Sequence, residues 1–320
     1  MKTEKSIIVL LLCLTVASFA PNPLLAVAQA VIGSIEKNAD TPVENRFVVG
    51  PAKIEASIPA GENKEVFVDL ENRTGRTQTF EVTFEDFKAS VDANQTVELL
   101  GSESSATSLK SYLSVPETTY TLFHGDRVRI PVTISIPAQE TAGGKFGSVV
   151  VSAFPTIETV GGEVTTGAVV VGRVASLLFV TVPGEIIHSA NTESFRIAKN
   201  ASVFFVAPIN FQIAFKNSGT TYENPYGGIT IRNMFGTVVE TISIDPWYVL
   251  PGATRTREVT FAQKNLFGFY TATLELNRGY ENVIDTKEVS FFVFNPVTLV
   301  LLVLVFVGLG VFAKARFARS

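Results

Sequence analysis

The sequence has few of the residues that most catalytic and metal sites need. Its 320 residues include one cysteine, Cys13, and two histidines, His124 and His188. Cys13 lies in the apolar N-terminal segment, so the rest of the chain has no cysteine for disulfides, zinc, iron–sulfur clusters or thiol catalysis. Two histidines exclude a multi-histidine metal site. The sequence therefore predicts no metal and no cofactor.

Combinations of residues that could act in catalysis are also missing. There is no G-x-S-x-G motif, and each histidine is predicted to be solvated or to cap a turn. Glu85 and Asp86 are adjacent, so on a strand they point to opposite faces and cannot work as an acid–base pair. The glycine pairs 143–144 and 161–162 lie in hairpin-like settings, not between a strand and a helix, where a phosphate loop is found. We expect a protein that is not an enzyme.

Charge is scarce as well. Charged residues make up 18% of the chain, hydrophobic residues 46%, and the formal net charge is −4. This composition is far from that of disordered proteins and can supply buried cores. The acidic balance argues against a nucleic-acid partner, because nucleic acid is bound through a basic surface.

The first 30 residues have the layout of a secretory signal. Lys2 and Lys5 precede the uncharged run 6–20, and Ala28-Gln29-Ala30 offers a small-x-small cleavage site. Cleavage after Ala28 is the alternative position. An uncleaved N-terminal anchor is the alternative interpretation of the segment.

The C-terminal end predicts one membrane span. Residues 289–313 contain no charge, and the core of this run, 296–313, would extend about 27 Å as a helix. Basic residues follow in the tail 314–320, and positive charge marks the cytoplasmic side. We therefore expect a single-pass cell-membrane protein with a helix at 295–313, its N-terminal part outside and its tail in the cytoplasm.

Between these ends the pattern is that of β-strands. After a flexible lead, 31–45, alternating apolar residues predict strands at 64–70, 79–84 and 127–136. Pro131 inside the third run indicates an edge strand or a bulge.

The next segments differ in composition. Residues 88–116 are rich in Ser, Ala, Asn and Thr and predict a surface excursion with about one helical turn. The runs 146–154 and 168–182 are almost continuously apolar, as in inner strands of a sheet. A boundary near Pro183-Gly184 makes 46–184 the first β-sandwich domain.

The β pattern restarts after this boundary and predicts a second sandwich domain at 185–294. Its candidate strands are 194–197, 209–215, 228–231, 238–244, 256–261, 268–276 and 287–294. Seven or so short strands in about 110 residues are typical of an immunoglobulin-type sandwich. The predicted fold is therefore all-β, with two immunoglobulin-like β-sandwich domains, a signal peptide and one transmembrane helix.

One pair of residues is a candidate for binding. Trp247 is the only tryptophan, and Tyr248 follows it in a proline-bounded loop. Exposed aromatic residues are common anchors of recognition. The alternative, which we favour, is a tryptophan that closes one end of the sandwich.

Several short motifs resemble a known family. They are Val49-Gly50-Pro51-Ala52-Lys53-Ile54, Ile58-Pro59-Ala60-Gly61-Glu62, Val68-Asp69-Leu70-Glu71-Asn72, Leu122-Phe123-His124-Gly125-Asp126, Val132-Thr133-Ile134-Ser135-Ile136-Pro137 and Gly143-Gly144-Lys145-Phe146-Gly147. Residues 46–154 are similar in these motifs to the peptidoglycan-binding domain of WxL-interacting bacterial surface proteins. The resemblance implies a bacterial source, two sandwiches and a membrane anchor. Residues 187–294 would then take the place of a partner-binding domain, although no motif there matches.

Three functions follow from these observations. The first is a membrane-anchored, non-catalytic binding protein that recognises cell wall peptidoglycan or a partner surface protein. The alternative is a structural or chaperone-like assembly factor for other exported surface proteins, which would present an exposed apolar strand edge. The third is an enzyme or an accessory part of a transporter.

Overall fold

The protein was analysed as a computed structural model that describes most of the region between the two ends. The described residues are 35–38, 40–90, 95–154, 172–199, 201–205, 208–264, 266–294, 300, 304–310 and 314. The predicted signal peptide, 1–30, lies outside them, as does most of the predicted tail.

The described chain is built almost entirely from strands. In chain order they are β1 (Ile35–Lys37), β2 (Arg46–Gly50), β3 (Lys53–Ser57), β4 (Asn63–Arg73), β5 (Gln78–Glu85), β6 (Phe87–Ala89), β7 (Val97–Leu99), β8 (Leu113–Ser114), β9 (Thr119–Leu122), β10 (Asp126–Ser135), β11 (Gly143–Phe154), β12 (Gly172–Val182), β13 (Ala190–Ile197), β14 (Val203–Phe204), β15 (Ile209–Asn217), β16 (Tyr226–Asn233), β17 (Val238–Ile244), β18 (Thr254–Phe261), β19 (Gly268–Asn277) and β20 (Ile284–Val293). A single 3-10 turn, Lys110–Tyr112, precedes β8.

The first two sheets form one sandwich. Sheet 1 has the order β1-β10-β4-β2, with β8 also pairing with β10, and sheet 2 has the order β3-β12-β11-β5-β9. Alternate residues of β4 and β10, such as Val68 and Ile130, point inward and meet Val151, Leu178 and Val180 of sheet 2. Period two therefore places one face of each strand in a common core.

The second pair of sheets has a core of its own. Sheet 3 has the order β13-β15-β18 and sheet 4 the order β14-β20-β19-β16-β17. Phe211 and Phe215 of β15 pack against Leu274 of β19 and Phe291 of β20 between them. The predicted all-β fold with sandwich-like sheets is confirmed. The division at residue 184 stays a prediction.

Two details of the first sandwich bear on the sequence predictions. On the side away from β4, β10 pairs with β1 at 126–128 and with β8 at 133–134, so Pro131 falls in the gap between these short partners. The excursion 88–116 is more than surface chain, because Leu109 and Leu113 are buried in the core. Asp86 ties it down by accepting hydrogen bonds from the backbone N–H groups of Leu109 and Lys110, both at 3.0 Å.

The prediction of a membrane span is corrected. Of the expected helix at 295–313, the structure describes Val300 and 304–310, which are helical and exposed. Within the described residues no helix has the length and apolar character needed to cross a membrane. The expected localisation as a single-pass membrane protein is corrected with it.

A compact ion cluster joins the 3-10 turn to the loop between β10 and β11. Glu140 pairs with Lys145 at 2.6 Å, accepts a hydrogen bond from the Tyr112 hydroxyl, and accepts another from the Thr141 N–H at 3.0 Å. The hydrogen bond from Lys145 is the main cause, ahead of that from Tyr112, of a pKa of Glu140 lowered from 4.5 to about 2. Both side chains of the ion pair are largely buried, so solvent screens the pair little.

We predict that this cluster contributes to acid sensitivity. A carboxylate whose pKa is lowered by folding stabilises the folded state above pH 4.5, and this stabilisation is lost as the pH falls toward about 2. Glu140→Gln should lower the free energy of unfolding at neutral pH by about 2 to 3 kcal/mol and flatten its decline in acid. Urea unfolding at a series of pH values measures both effects. Glu62→Gln, at an exposed position, is the control, and an identical pH profile in both variants would contradict the assignment.

Candidate functional site

The candidate site arises where the chain changes sheets. Strand β2 pairs with β4 in sheet 1, and after Gly50-Pro51 the chain continues as β3, which pairs with β12 in sheet 2. Strand β3 covers β12 only along 177–181, whereas β11 pairs with all of β12. Among the described residues, 172–175 of β12 therefore have no strand partner on the side away from β11.

The direction of the free backbone groups follows from the pairing. The N–H of Leu177 donates to the Ala52 carbonyl at 2.9 Å, on the side of β3. Successive amides of a strand alternate in direction, and no register shift interrupts the β11–β12 ladder. The N–H and C=O groups of Arg173 and Ala175 therefore point to the same side, where β3 no longer covers β12.

A groove lies beside this edge, and we call it the tip groove. It has a volume of about 340 Å³ and is bounded by β2, the turn between β4 and β5, the end of β11 and residues 172–174 of β12. Phe47 of β2 lines it and packs edge-to-face on Phe80 of the core, with ring centroids 5.2 Å apart. Val174, half-buried, lines the opposite side. The groove thus opens between the two sheets and has apolar side chains in its wall.

Three arginines lie around the tip groove, and two of them are paired with carboxylates. Arg46, Arg76 and Arg173 line it, and no carboxylate does so among the described residues. Arg46 pairs with Glu44 at 2.5 Å, and its hydrogen bond lowers the pKa of Glu44. Arg173 pairs with Glu85. These exposed pairs contribute little to stability, but they place arginine side chains at both sides of the opening.

The two candidate binding residues, for which we favoured a structural role of the tryptophan, lie elsewhere. Trp247 is buried in the core of the second pair of sheets, with its ring centroid 6.2 Å from that of Phe215. Tyr248 packs on Phe179 of β12 at 4.8 Å, across the junction between the sandwiches. Neither ring stands on an exposed loop. A role of this pair in binding stays a prediction.

The junction between the sandwiches has a small apolar cluster of its own. Phe87, Phe146 and Phe179 of the first sandwich and Leu250 of the second are buried in it. Lys53 lies over the ring of Phe179 at 5.0 Å and is paired with Glu55 at 2.6 Å. Aromatic and cation–π contacts together hold the sandwiches against each other here.

Both histidines make contacts to other loops. His124 accepts a hydrogen bond at Nδ1 from the Gly75 N–H and contacts the Thr41 carbonyl through Nε2 at 3.0 Å. His188 contacts Glu223 at 2.8 Å, and burial raises the pKa of that carboxyl group. In the part of the chain that is described, no three His, Cys, Asp or Glu side chains are placed to hold a metal ion.

Comparison with known proteins gives similarity at the level of the fold. No family model matches the chain, and no curated protein matches it. The class 5 fimbriae chaperone CfaA is 14% identical, and the match covers 77% of this chain and 99% of that one with a TM-score of 0.38. A chain from the CsuC–CsuE chaperone–tip adhesion subunit complex of Acinetobacter baumannii is 11% identical, with coverage of 78% and 100% and a TM-score of 0.36. The E. coli chaperone DraB is 11% identical, with coverage of 77% and 96% and a TM-score of 0.35.

These comparisons correct the resemblance inferred from the motifs. These three structures are chaperones or chaperone complexes, not WxL-interacting peptidoglycan-binding proteins, and no family model supports the latter. That resemblance is wrong, because the matching motifs are mostly turns and strand ends that many sandwiches share. At these TM-scores the function proposed below depends on the geometry of this chain.

We predict that Phe179 is the main apolar contact of the junction. Phe179→Ala should lower the free energy of unfolding by about 3 to 5 kcal/mol, because the buried ring is replaced by a cavity. Urea unfolding measures the change. Phe67→Ala, which removes a phenylalanine that is 45% exposed on β4, should change it by less than about 1 kcal/mol. Equal losses in the two variants would show that the ring at 179 has no special part in the junction.

Proposed function

We propose that this protein is a non-catalytic assembly factor that binds extended segments of other exported surface proteins at the free edge of β12. The observation that carries this proposal is the unpaired stretch 172–175 beside the tip groove. The predicted signal segment 1–30 supports an exported partner. The architecture that we propose for this role is two immunoglobulin-like domains, 46–184 and 185–294.

The edge supplies the two parts that strand addition requires. The backbone groups of Arg173 and Ala175 can pair with the backbone of an added strand, which gives affinity independent of sequence. Alternate side chains of the added strand would enter the tip groove and contact Phe47 and Val174. The other side chains would point to solvent. The preferred segment is therefore extended and alternately apolar.

A proline substitution tests the proposal at a single hydrogen bond. In Ala175→Pro the lost N–H is one that points away from β11, so the β11–β12 ladder is kept while the free edge loses a donor. Binding of a fluorescent peptide of alternating Val and Thr residues to the full chain can be followed by anisotropy. We expect binding by the unchanged protein and a loss of affinity of about tenfold in Ala175→Pro.

The control is Ala175→Val, which keeps the N–H and the strand preference and should bind like the unchanged protein. Amide hydrogen exchange should show slower exchange at Arg173 and Ala175 when the peptide is bound. Peptide binding that is equally strong in Ala175→Pro, or protection confined to another strand, would place the binding site elsewhere.

A further inference from the structure

The two pairs of sheets repeat one strand arrangement. In the first pair, β2 pairs with β4, β4 with β10, and a short parallel strand, β3, with β12. In the second pair, β13 pairs with β15, β15 with β18, and a short parallel strand, β14, with β20. The antiparallel ladders of β12-β11-β5-β9 correspond to those of β20-β19-β16-β17. Strand β20 is therefore the counterpart of β12, whose free edge carries the proposed function.

The parallel strand covers even less of β20 than of β12. Strand β14 pairs only with Phe292 and Val293, whereas β19 pairs with β20 from Ile284 to Val293. Residues 284–291 therefore have no described strand partner on the side away from β19. None of the residues 284–290 is buried, as expected at an open edge. This unpaired stretch is longer than the corresponding stretch 172–175 of β12.

The direction of the free backbone groups of β20 follows from one hydrogen bond. The N–H of Phe292 donates to the Ser202 carbonyl at 2.8 Å, on the side away from β19. Successive amides of a strand alternate in direction, and no register shift interrupts the β19–β20 ladder. The N–H and C=O groups that point to the open side are therefore those of Thr286, Glu288 and Ser290. Their alternating donors and acceptors are the groups that an added strand requires.

The two faces of this stretch differ in chemistry. On the inner face Val289 is half-buried and packs against the core of the second sandwich. On the outer face Glu288 accepts a hydrogen bond from the Thr273 hydroxyl at 3.0 Å, and the Ser290 and Thr271 hydroxyls lie 3.2 Å apart. A neighbouring strand places its side chains on the same two faces. The edge therefore fits an extended segment that is apolar on one face and carries hydroxyl groups on the other.

A second copy of this chain fits the edge less well than such a segment. If β20 of two copies paired antiparallel with the longest overlap, over 284–290, Lys287 of one copy would lie opposite Lys287 of the other. Like charges directly opposite each other destabilise a pair of strands. A segment of another protein with an uncharged residue at that position avoids this repulsion.

We propose that β20 is a second acceptor edge, which binds an extended segment of an exported surface protein along residues 286–290. This inference rests on the function proposed for β12 and extends it, because one chain would then hold two segments, one on each sandwich. The two edges share no residue, so each can be disabled alone. A partner that supplies both segments would be held more tightly than by either edge, since binding at the second edge becomes intramolecular.

Calorimetry of the full chain with the peptide of alternating Val and Thr residues counts the sites. We expect two sites per chain in the unchanged protein. Thr286→Pro should weaken one of them by about tenfold, because the lost N–H points away from β19, so the β19–β20 ladder is kept. Thr286→Val is the matched control, because it keeps the N–H and should bind like the unchanged protein.

Hydrogen exchange of the unchanged protein tests the same edge without a variant. When the peptide is bound, the amides of Thr286, Glu288 and Ser290 should exchange more slowly. Unchanged exchange at these three amides in the presence of saturating peptide would overturn the proposal, even if Thr286→Pro fails to fold.

Ala175→Pro separates this proposal from the function proposed for β12. Weakening of one site in Ala175→Pro and of the other in Thr286→Pro supports both. A single site that only Ala175→Pro weakens would keep the proposed function and overturn the second edge, whereas a single site that only Thr286→Pro weakens would do the reverse. No binding, or binding that neither variant weakens, would overturn both. A dimer in analytical ultracentrifugation that Thr286→Pro abolishes would assign the edge to a second copy and also overturn the proposal.

Discussion

The change of sheet between β2 and β3 is the constraint on which the candidate site depends. The pairing of β2 with β4 ends at Gly50, and Pro51, which has no N–H to donate, begins the segment that crosses to sheet 2. Strand β3 then joins sheet 2 too far along β12 to cover residues 172–175. The free edge and the groove beside it are two results of this single crossing.

Strand β12 packs on two different clusters with its two faces, because its residues alternate in direction. Leu178 and Val180 point into the core of the first sandwich, whereas Phe179 points the other way, into the junction with the second. Near its start, at 172–175, no described strand pairs with it on the side away from β11. The buried half therefore anchors the strand on both faces, and the free half can accept a partner without loss of the core.

Local pattern predicts the strands of this protein but not their partners. The alternating run 238–244 coincides with β17, and the buried face of β10 is the one that its period of two indicates. Strands of two or three residues, such as β14 and β7, are too short to show any period. The free edge could not be predicted, because it depends on how far β3 extends along a strand more than a hundred residues away. For the same reason the sequence pointed to Trp247 and Tyr248, whose surroundings are set by distant chain.

Two cations lie over the ring of Tyr248, and they differ in whether a carboxylate is close. Lys53 and Arg255 lie 5.3 Å and 4.9 Å from the ring centroid, and a tyrosine ring attracts each of them. Two cations near one ring also repel each other, and this repulsion is relieved only where a carboxylate is close. Glu55 provides that carboxylate for Lys53 at 2.6 Å, whereas Arg255 has the Tyr248 carbonyl and the Thr96 hydroxyl, which are neutral. Among the described residues, therefore, one cation on this ring has a carboxylate partner and the other has only neutral acceptors.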